Sequence, residues 1–316
     1  VSTEVRDVSF GFSLRELDIS QRGARLQASG AAAKTPAMMW RLKRLAAYRK
    51  PFSIFSRAAA GIDDLRFTLA PVMVEWGEDA SVVVIAFTGG AAKLMLPVYE
   101  FFDTTKSLGY SRILLRDQYH RHYHRGIDNQ RPDFPSLIGY LREEIERLSP
   151  KKILCIGTSS GGYAAIRAGH ELGADYVHAF APQTGDLPAG LGAPKRRYRL
   201  WPLKNGLSRH SGTKFIELSR LLKDWNRKTI YYVHYGRGCR SDRYHAERLL
   251  RAPGVVSIGY PSDAHLIAIF LAKKGFLTKA LAISNQDRLV EIAKKHFHDG
   301  LEIHEPRREA TGDRPG

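Results

Sequence analysis

Short, uninterrupted apolar runs alternate along this chain with stretches whose apolar positions return every three or four residues. SVVVIAF (81–87), SRILLRD (111–117), KKILCIG (151–157), YVHAFAP (176–182), TIYYVHY (229–235) and VVSIGYP (255–261) are the runs. Strands buried on both faces read this way, because neither side chain direction meets water. Between them the spacing predicts helices from after Thr88-Gly89-Gly90 to about Thr105, over 134–148 with Leu137, Leu141 and Ile145 on one face, and from about Ser160, Asp242 and His265. Strands alternating with helices predict an α/β protein with a mostly parallel central sheet and helices on both faces. Residues 64–79 around Pro71 read as two short strands in a hairpin or meander.

The flanks carry weaker patterns. Residues 1–62 read as an N-terminal arm, rich in Gly, Ala and Ser between 23 and 35. Within it, Met38, Met39, Trp40, Leu42 and Leu45 interleave with Arg41, Lys43, Arg44, Arg49 and Lys50. That is the pattern of a short basic amphipathic helix packed on a domain with its charges in water; contact with a membrane surface or acidic partner is the other reading. The folded domain is expected over 63–302, and residues 303–316 as a frayed tail.

The motif richest in chemistry is Gly157-Thr158-Ser159-Ser160-Gly161-Gly162. It is a G-x-S-x-G sequence, with an apolar strand running in and a small-residue helix running out. A serine on such a turn has its hydroxyl lifted above the sheet edge, and the helix N-terminus beside it aims N–H groups at developing negative charge. The dinucleotide pattern G-x-G-x-x-G and the P-loop lysine are both absent.

On these residues the chain resembles the α/β-hydrolase superfamily, in particular its esterases and prolyl-oligopeptidase-like peptidases, over about residues 63–283. The resemblance implies an α/β-hydrolase fold with a small cap insertion, here at 183–228, and a nucleophile at Ser159. It also implies the chain order serine, acid, histidine. The loop after TIYYVHY offers Asp242 and the loop after VVSIGYP offers His265; Asp263 is the reserve acid and Glu247 a weaker one. Asp242 also stands where a helix cap is expected. The oxyanion hole would use the backbone N–H of Ser160 and that of Thr88 or Gly89, in the loop after residue 87.

The segment 117–124 holds His120, His122 and His124 at alternate positions. Alternating histidines can share a metal, but interleaved arginines disfavour a cation, so this loop is assigned to the rim of the site. Tyr119, His120 and Tyr163 are the expected substrate contacts. The insertion carries Lys195, Arg196, Arg197, Arg199, Lys204, Arg209 and Lys214 with Tyr198, Trp201 and Phe215. Such a cap suits an acidic or polar acyl substrate, for example a phosphopantetheine or coenzyme A thioester or an anionic glycan ester; a plain solvated lid fits the same residues.

Composition narrows the picture only at its edges. The 316 residues carry a net charge of +17, which favours an anionic substrate or surface, but no nucleic-acid signature accompanies it. Cys155 and Cys239 are the two cysteines, and Cys155 lies in an apolar strand, so no disulfide is expected. No signal-like or membrane-spanning apolar stretch is present, and a cytoplasmic location is expected. Nothing calls for a cofactor or a metal. The expected activity is hydrolysis of an ester, thioester or related acyl bond on a small-molecule or acyl-carrier-linked substrate, with ester chemistry ahead of peptide chemistry. A non-catalytic module of the same fold, binding a polyanion or protein through its basic surface, is the alternative.

Overall fold

Each predicted apolar run forms a strand of one eight-stranded sheet in the computed structural model, which describes residues 70–90, 92–119, 121–185, 216–225, 228–298 and 300–306. The strands are β1 (Val72–Glu75), β2 (Asp79–Phe87), β3 (Tyr110–Leu115), β4 (Lys152–Thr158), β5 (Tyr176–Phe180), β6 (Ile230–Gly236), β7 (Val255–Tyr260) and β8 (Glu302–His304). Their order is β1-β3-β2-β4-β5-β6-β7-β8. Strands β2 to β7 are parallel, and only the two edge strands run antiparallel to their neighbours. Parallel strands put all their C-terminal ends on one edge, where loops can converge.

Residue parity decides which face each side chain covers. Val83, Ile85 and Phe87 of β2 enter one core, and Val82, Val84 and Ala86 enter the other. The first core is closed by α2 (Phe134–Leu148), α3 (Ser160–Leu172), α4 (Leu218–Leu221) and α5 (Arg240–Glu247). The second is closed by α1 (Val98–Thr104), α6 (Ile267–Lys273), α7 (Leu277–Leu281) and α8 (Leu289–Phe297). This is the α/β-hydrolase architecture that the sequence resemblance implies. No helix among the described residues is long and apolar enough to cross a membrane.

Four expectations meet the structure here, and two of them need correction: the start of the helix before Thr105 and the extent of the tail. Of the two short strands expected over 64–79, the second is β1, which pairs antiparallel with β3, and the first lies outside the described residues. The helix expected directly after Thr88-Gly89-Gly90 begins only at Val98, where Pro97 stands at the N-cap and disfavours a helix running through it. As expected, His265 is followed by an apolar helix, which starts at Ile267. Residues 303 and 304, assigned to the tail, lie in β8, where Ile303 pairs with Ile258. The N-terminal arm, where the basic helix is expected, and residues 186–215 of the 183–228 insertion lie outside the described residues.

The second core holds a hydrogen-bonded polar chain. His178 Nδ1 is 2.9 Å from His234 Nε2, His178 Nε2 is 2.9 Å from Gln286 Oε1, and His234 Nδ1 is 2.9 Å from the Tyr260 hydroxyl. Gln286 Nε2 donates to the carbonyls of Ala280 and Ala282, so its oxygen must accept. The protons then fall in one order: Tyr260 O–H to His234 Nδ1, His234 Nε2–H to His178 Nδ1, His178 Nε2–H to Gln286. Both rings are neutral. Burial pulls His178 down to about 4 against its bond to Gln286, and burial together with His178 holds His234 well below 6.5.

Such groups bind protons in the unfolded chain at a pH where the folded chain refuses them, so stability must fall as pH drops below about 6.5. For His178 the expected loss between pH 7 and pH 5 is about 2 kcal/mol, with a further loss from His234. Denaturant unfolding across that interval measures it, and a level stability would contradict the neutral assignment.

Candidate active site

Ser159 stands between β4 and α3 with φ 54° and ψ −117°, a backbone conformation that side-chain-bearing residues rarely adopt. Four backbone hydrogen bonds hold it there. Its N–H donates to Phe180 O at 2.9 Å, and its carbonyl accepts from Gly162, Tyr163 and Gln183. Two neighbouring glycines make the turn sterically feasible. A Cβ on Gly157 would lie 2.1 Å from the carbonyl oxygen of Gly161, and one on Gly161 would lie 2.2 Å from that of Phe87. Strand, helix and the loop after β2 can therefore close around the serine only with hydrogen at both positions.

Asp242 and His265 meet. His265 Nδ1 lies 2.8 Å from Asp242 Oδ1, and Asp242 is 2% exposed while the ring is half-buried. Asp263 is exposed, and Glu247 is exposed and paired with Arg243, so neither reserve acid contacts the imidazole. Asp242 lies in the first turn of α5, yet its carboxylate caps nothing: the N-cap residue is Cys239. The other carboxylate oxygen, Oδ2, is buried with no hydrogen-bond partner.

Loop contacts draw His265 back across the sheet edge from the end of β7. Gly238 N–H donates to Ser262 O at 2.9 Å, and a Cβ on Gly236 would lie 2.7 Å from Ser262 O and 2.9 Å from Ala264 O. The His265 loop therefore rests on the end of β6. Beyond it, Ala268 N–H meets Met95 Sδ at 3.4 Å, while the Lys93 carbonyl accepts from Thr158 Oγ1 at 3.2 Å. One short loop thus touches both the residue before Ser159 and the helix after His265. Among the described residues, neither the Ser159 hydroxyl nor His265 Nε2 has a hydrogen-bond partner.

Burial depresses the His265 pKa, but the hydrogen bond and negative charge of Asp242 outweigh it, and the net shift is upward from 6.5. With Nδ1–H donating to Asp242, the neutral ring keeps its lone pair on Nε2.

The loop after β2 differs from expectation. Thr88 N–H donates to Leu115 O at 3.1 Å, continuing the β2–β3 ladder, and Gly89 N–H donates to Lys93 O at 2.8 Å. Both donors are spent inside the fold. The next N–H, that of Gly90, has no partner among the described residues, nor has that of Ser160 at the first position of α3. Gly90 lies beside the elbow: a Cβ on it would be 3.8 Å from Ser160 Oγ. The Thr-Gly-Gly sequence contains this donor, but only the hydrogen-bond pattern separates it from the two before it.

The remaining expected contacts divide. Tyr119 is exposed at the rim and donates to Asn129 Oδ1 at 3.2 Å. His120 lies outside the described residues. Tyr163 is fully buried in the first core, with its hydroxyl 3.3 Å from Ile216 O, so its role is packing rather than substrate contact; its place on α3 turns it toward the sheet. His122 Nε2 bonds Gln183 Oε1 at 2.7 Å. Sequence reading passed over Asp117 and Tyr123. The Asp117 carboxylate accepts from the N–H groups of Tyr119, Arg121 and Tyr123, and the Tyr123 hydroxyl sits 3.0 Å from the carbonyls of Thr88 and Leu115. These bonds tie the rim to the loop after β2.

No family model matches the chain, and no curated protein is significantly similar to it. Among solved structures it is similar to MenH from S. aureus, 12% identical over 73% of this chain and 100% of that one, with a TM-score of 0.46. It is also similar to an esterase of Pyrococcus furiosus, 17% identical over 75% and 94% of the two chains, with a TM-score of 0.42. A third is described as an alpha-beta serine hydrolase homologue from Coxiella burnetii, 13% identical over 67% and 91%, with a TM-score of 0.39. At such identities neither a substrate nor a residue role carries over from them.

Proposed function

We propose that the chain is a serine hydrolase that cleaves an ester, thioester or related acyl bond through Ser159, His265 and Asp242. The observation that carries this reading is the bond between buried Asp242 and half-buried His265, reached from β6 and β7, on the edge where β4 ends in a strained serine. Folding alone has little use for that combination.

The chemistry follows from the protons. His265 Nε2 takes the Ser159 proton as Oγ attacks the acyl carbon, and Asp242 stabilises the imidazolium that forms. The carbonyl oxygen becomes an oxyanion, for which Ser160 N–H and Gly90 N–H are the available donors. Collapse expels the alcohol or thiol, which leaves with the proton from Nε2, and the acyl group stays on Ser159. Water, deprotonated by the same nitrogen, then releases the acid and restores the serine. The surplus of positive charge favours acyl substrates that carry an anionic group.

The test is covalent. A fluorophosphonate probe should label the protein, and peptide mapping should find the adduct on Ser159; an adduct elsewhere, or none, would refute the proposal. The labelling rate should also depend on pH. Because the reactive form is the neutral imidazole and its pKa is raised, the rate should fall as pH drops, with a midpoint above 6.5. A rate that is level from pH 8 to pH 5 would count against His265 as the base.

A further inference from the structure

Beside the catalytic pair lies a third side chain that the hydrolytic mechanism does not use. Cys239 ends the loop after β6 and is partly buried. Its Sγ, a ring nitrogen of His265 and a carboxylate oxygen of Asp242 all lie within 4.8 Å of one another. The thiol contacts Ser241 Oγ at 3.4 Å and also lies within hydrogen-bonding reach of the Asp242 backbone N–H and carboxylate. Asp242 Oδ2 is buried and unpartnered, a position at which a carboxylate oxygen normally finds a donor or a cation.

We infer that Cys239, Asp242 and His265 form a binding site for a thiophilic divalent cation of the zinc class, and that its occupancy switches Ser159 off. The second half rests on the hydrolase reading; the first does not. A thiolate, an imidazole and a carboxylate suit zinc and not magnesium or calcium, which take oxygen ligands. Tetrahedral zinc with bonds of about 2.0–2.3 Å needs its ligand atoms about 3.3–3.7 Å apart. The Nδ1–Oδ1 distance of 2.8 Å must open slightly and the thiol must close in. The backbone of Cys239 is fixed by its hydrogen bonds to Gly236 O and from Arg243 N–H, so the thiol closes in by side-chain rotation about Cα–Cβ.

The proton balance explains why a metal there would inhibit. The neutral ring carries its proton on Nδ1, facing Asp242. Zinc takes the Nδ1 lone pair, so that proton moves to Nε2. The cysteine loses its thiol proton to solvent, and one proton is released per zinc bound. His265 then presents N–H, not a lone pair, toward Ser159 and cannot accept the serine proton. Asp242 is drawn to the metal as well. Inhibition thus comes from locking the unproductive tautomer, with no need to block the substrate's entry.

Calorimetric titration with zinc chloride should show one tight site per chain, with a buffer-dependent heat that reports the released proton. Zinc should slow alkylation of Cys239 by iodoacetamide, read by mass spectrometry, and should slow fluorophosphonate labelling; chelation should reverse both. Cys239→Ser should weaken zinc binding by about 100-fold or more and lose the inhibition, each variant being compared with its own zinc-free rate. Should that variant not fold, alkylation of the parent protein still decides. Unchanged alkylation of Cys239 under saturating zinc, or undiminished zinc affinity in Cys239→Ser, would overturn the site. Zinc binding with thiol protection in a protein that never labels at Ser159 would leave the metal site standing and remove the hydrolase reading instead.

Discussion

Ser159→Ala is expected to lower turnover of an activated ester by a factor on the order of 10⁵ to 10⁶ and to abolish fluorophosphonate labelling. The substitution removes one oxygen from a backbone that is held independently, by the hydrogen bonds to Phe180, Gly162, Tyr163 and Gln183. Thermal unfolding should therefore change little, which separates lost chemistry from lost structure. The residual rate would come from the oxyanion donors and from binding, which together leave roughly 10³ to 10⁴ of acceleration over water when a nucleophile is deleted. The neighbouring Ser160 cannot substitute: it is buried in the first turn of α3, where its N–H is the useful group. Hydrolysis within tenfold of the parent, by a protein that still labels, would remove Ser159 from the mechanism.

Asp242→Asn is expected to cost about 10⁴ in kcat with the fold intact. The carboxylate does two things for His265. It fixes the proton on Nδ1, and it supplies a negative charge that stabilises the imidazolium after proton transfer. An amide of the same shape loses the charge, and its NH₂ can donate to Nδ1, which stabilises the tautomer with a proton on the wrong nitrogen. The pH midpoint should fall as well, since the hydrogen bond and charge that lift the His265 pKa are weakened while the desolvation that lowers it remains. Asp263→Asn and Glu247→Gln serve as controls, because both side chains are exposed and apart from the imidazole; activity should stay within about twofold, as for ordinary surface substitutions. An Asp242→Asn enzyme with near-parental kcat would mean that the 2.8 Å contact is structural only.

How much of this was legible beforehand depended on whether the governing interaction was local. The strands were legible because β2 to β7 are buried on both faces, so their apolar runs are continuous. The elbow was legible because its steric demands fall on residues within four positions of Ser159. Asp242 and His265 were reached through the order implied by the superfamily resemblance, not by spacing, since 23 residues of sequence separation say nothing of a 2.8 Å contact. Which N–H of the loop after β2 is left without a partner was not legible. Thr88, Gly89 and Gly90 are equivalent on paper, and the difference arises from partners at Leu115 and Lys93 that compete for the first two N–H groups. Tyr163 misled for a related reason: it follows the nucleophile turn closely, but the first turns of α3 lie against the sheet and bury it. The neutral histidine chain was invisible, because His178, His234, Tyr260 and Gln286 come from four separate segments and look individually like ordinary polar residues.

The backbone angles of Ser159 bear on whether the molecule has a reaction to perform at all. If the position answered only to folding, glycine would be the better occupant: it adopts φ 54° and ψ −117° without the penalty, on the order of 1–3 kcal/mol, that a Cβ incurs. A binding module with no turnover would gain from that exchange and lose nothing. The presence of a hydroxyl-bearing side chain at the one place in the turn where it is least comfortable is what a demand external to stability looks like.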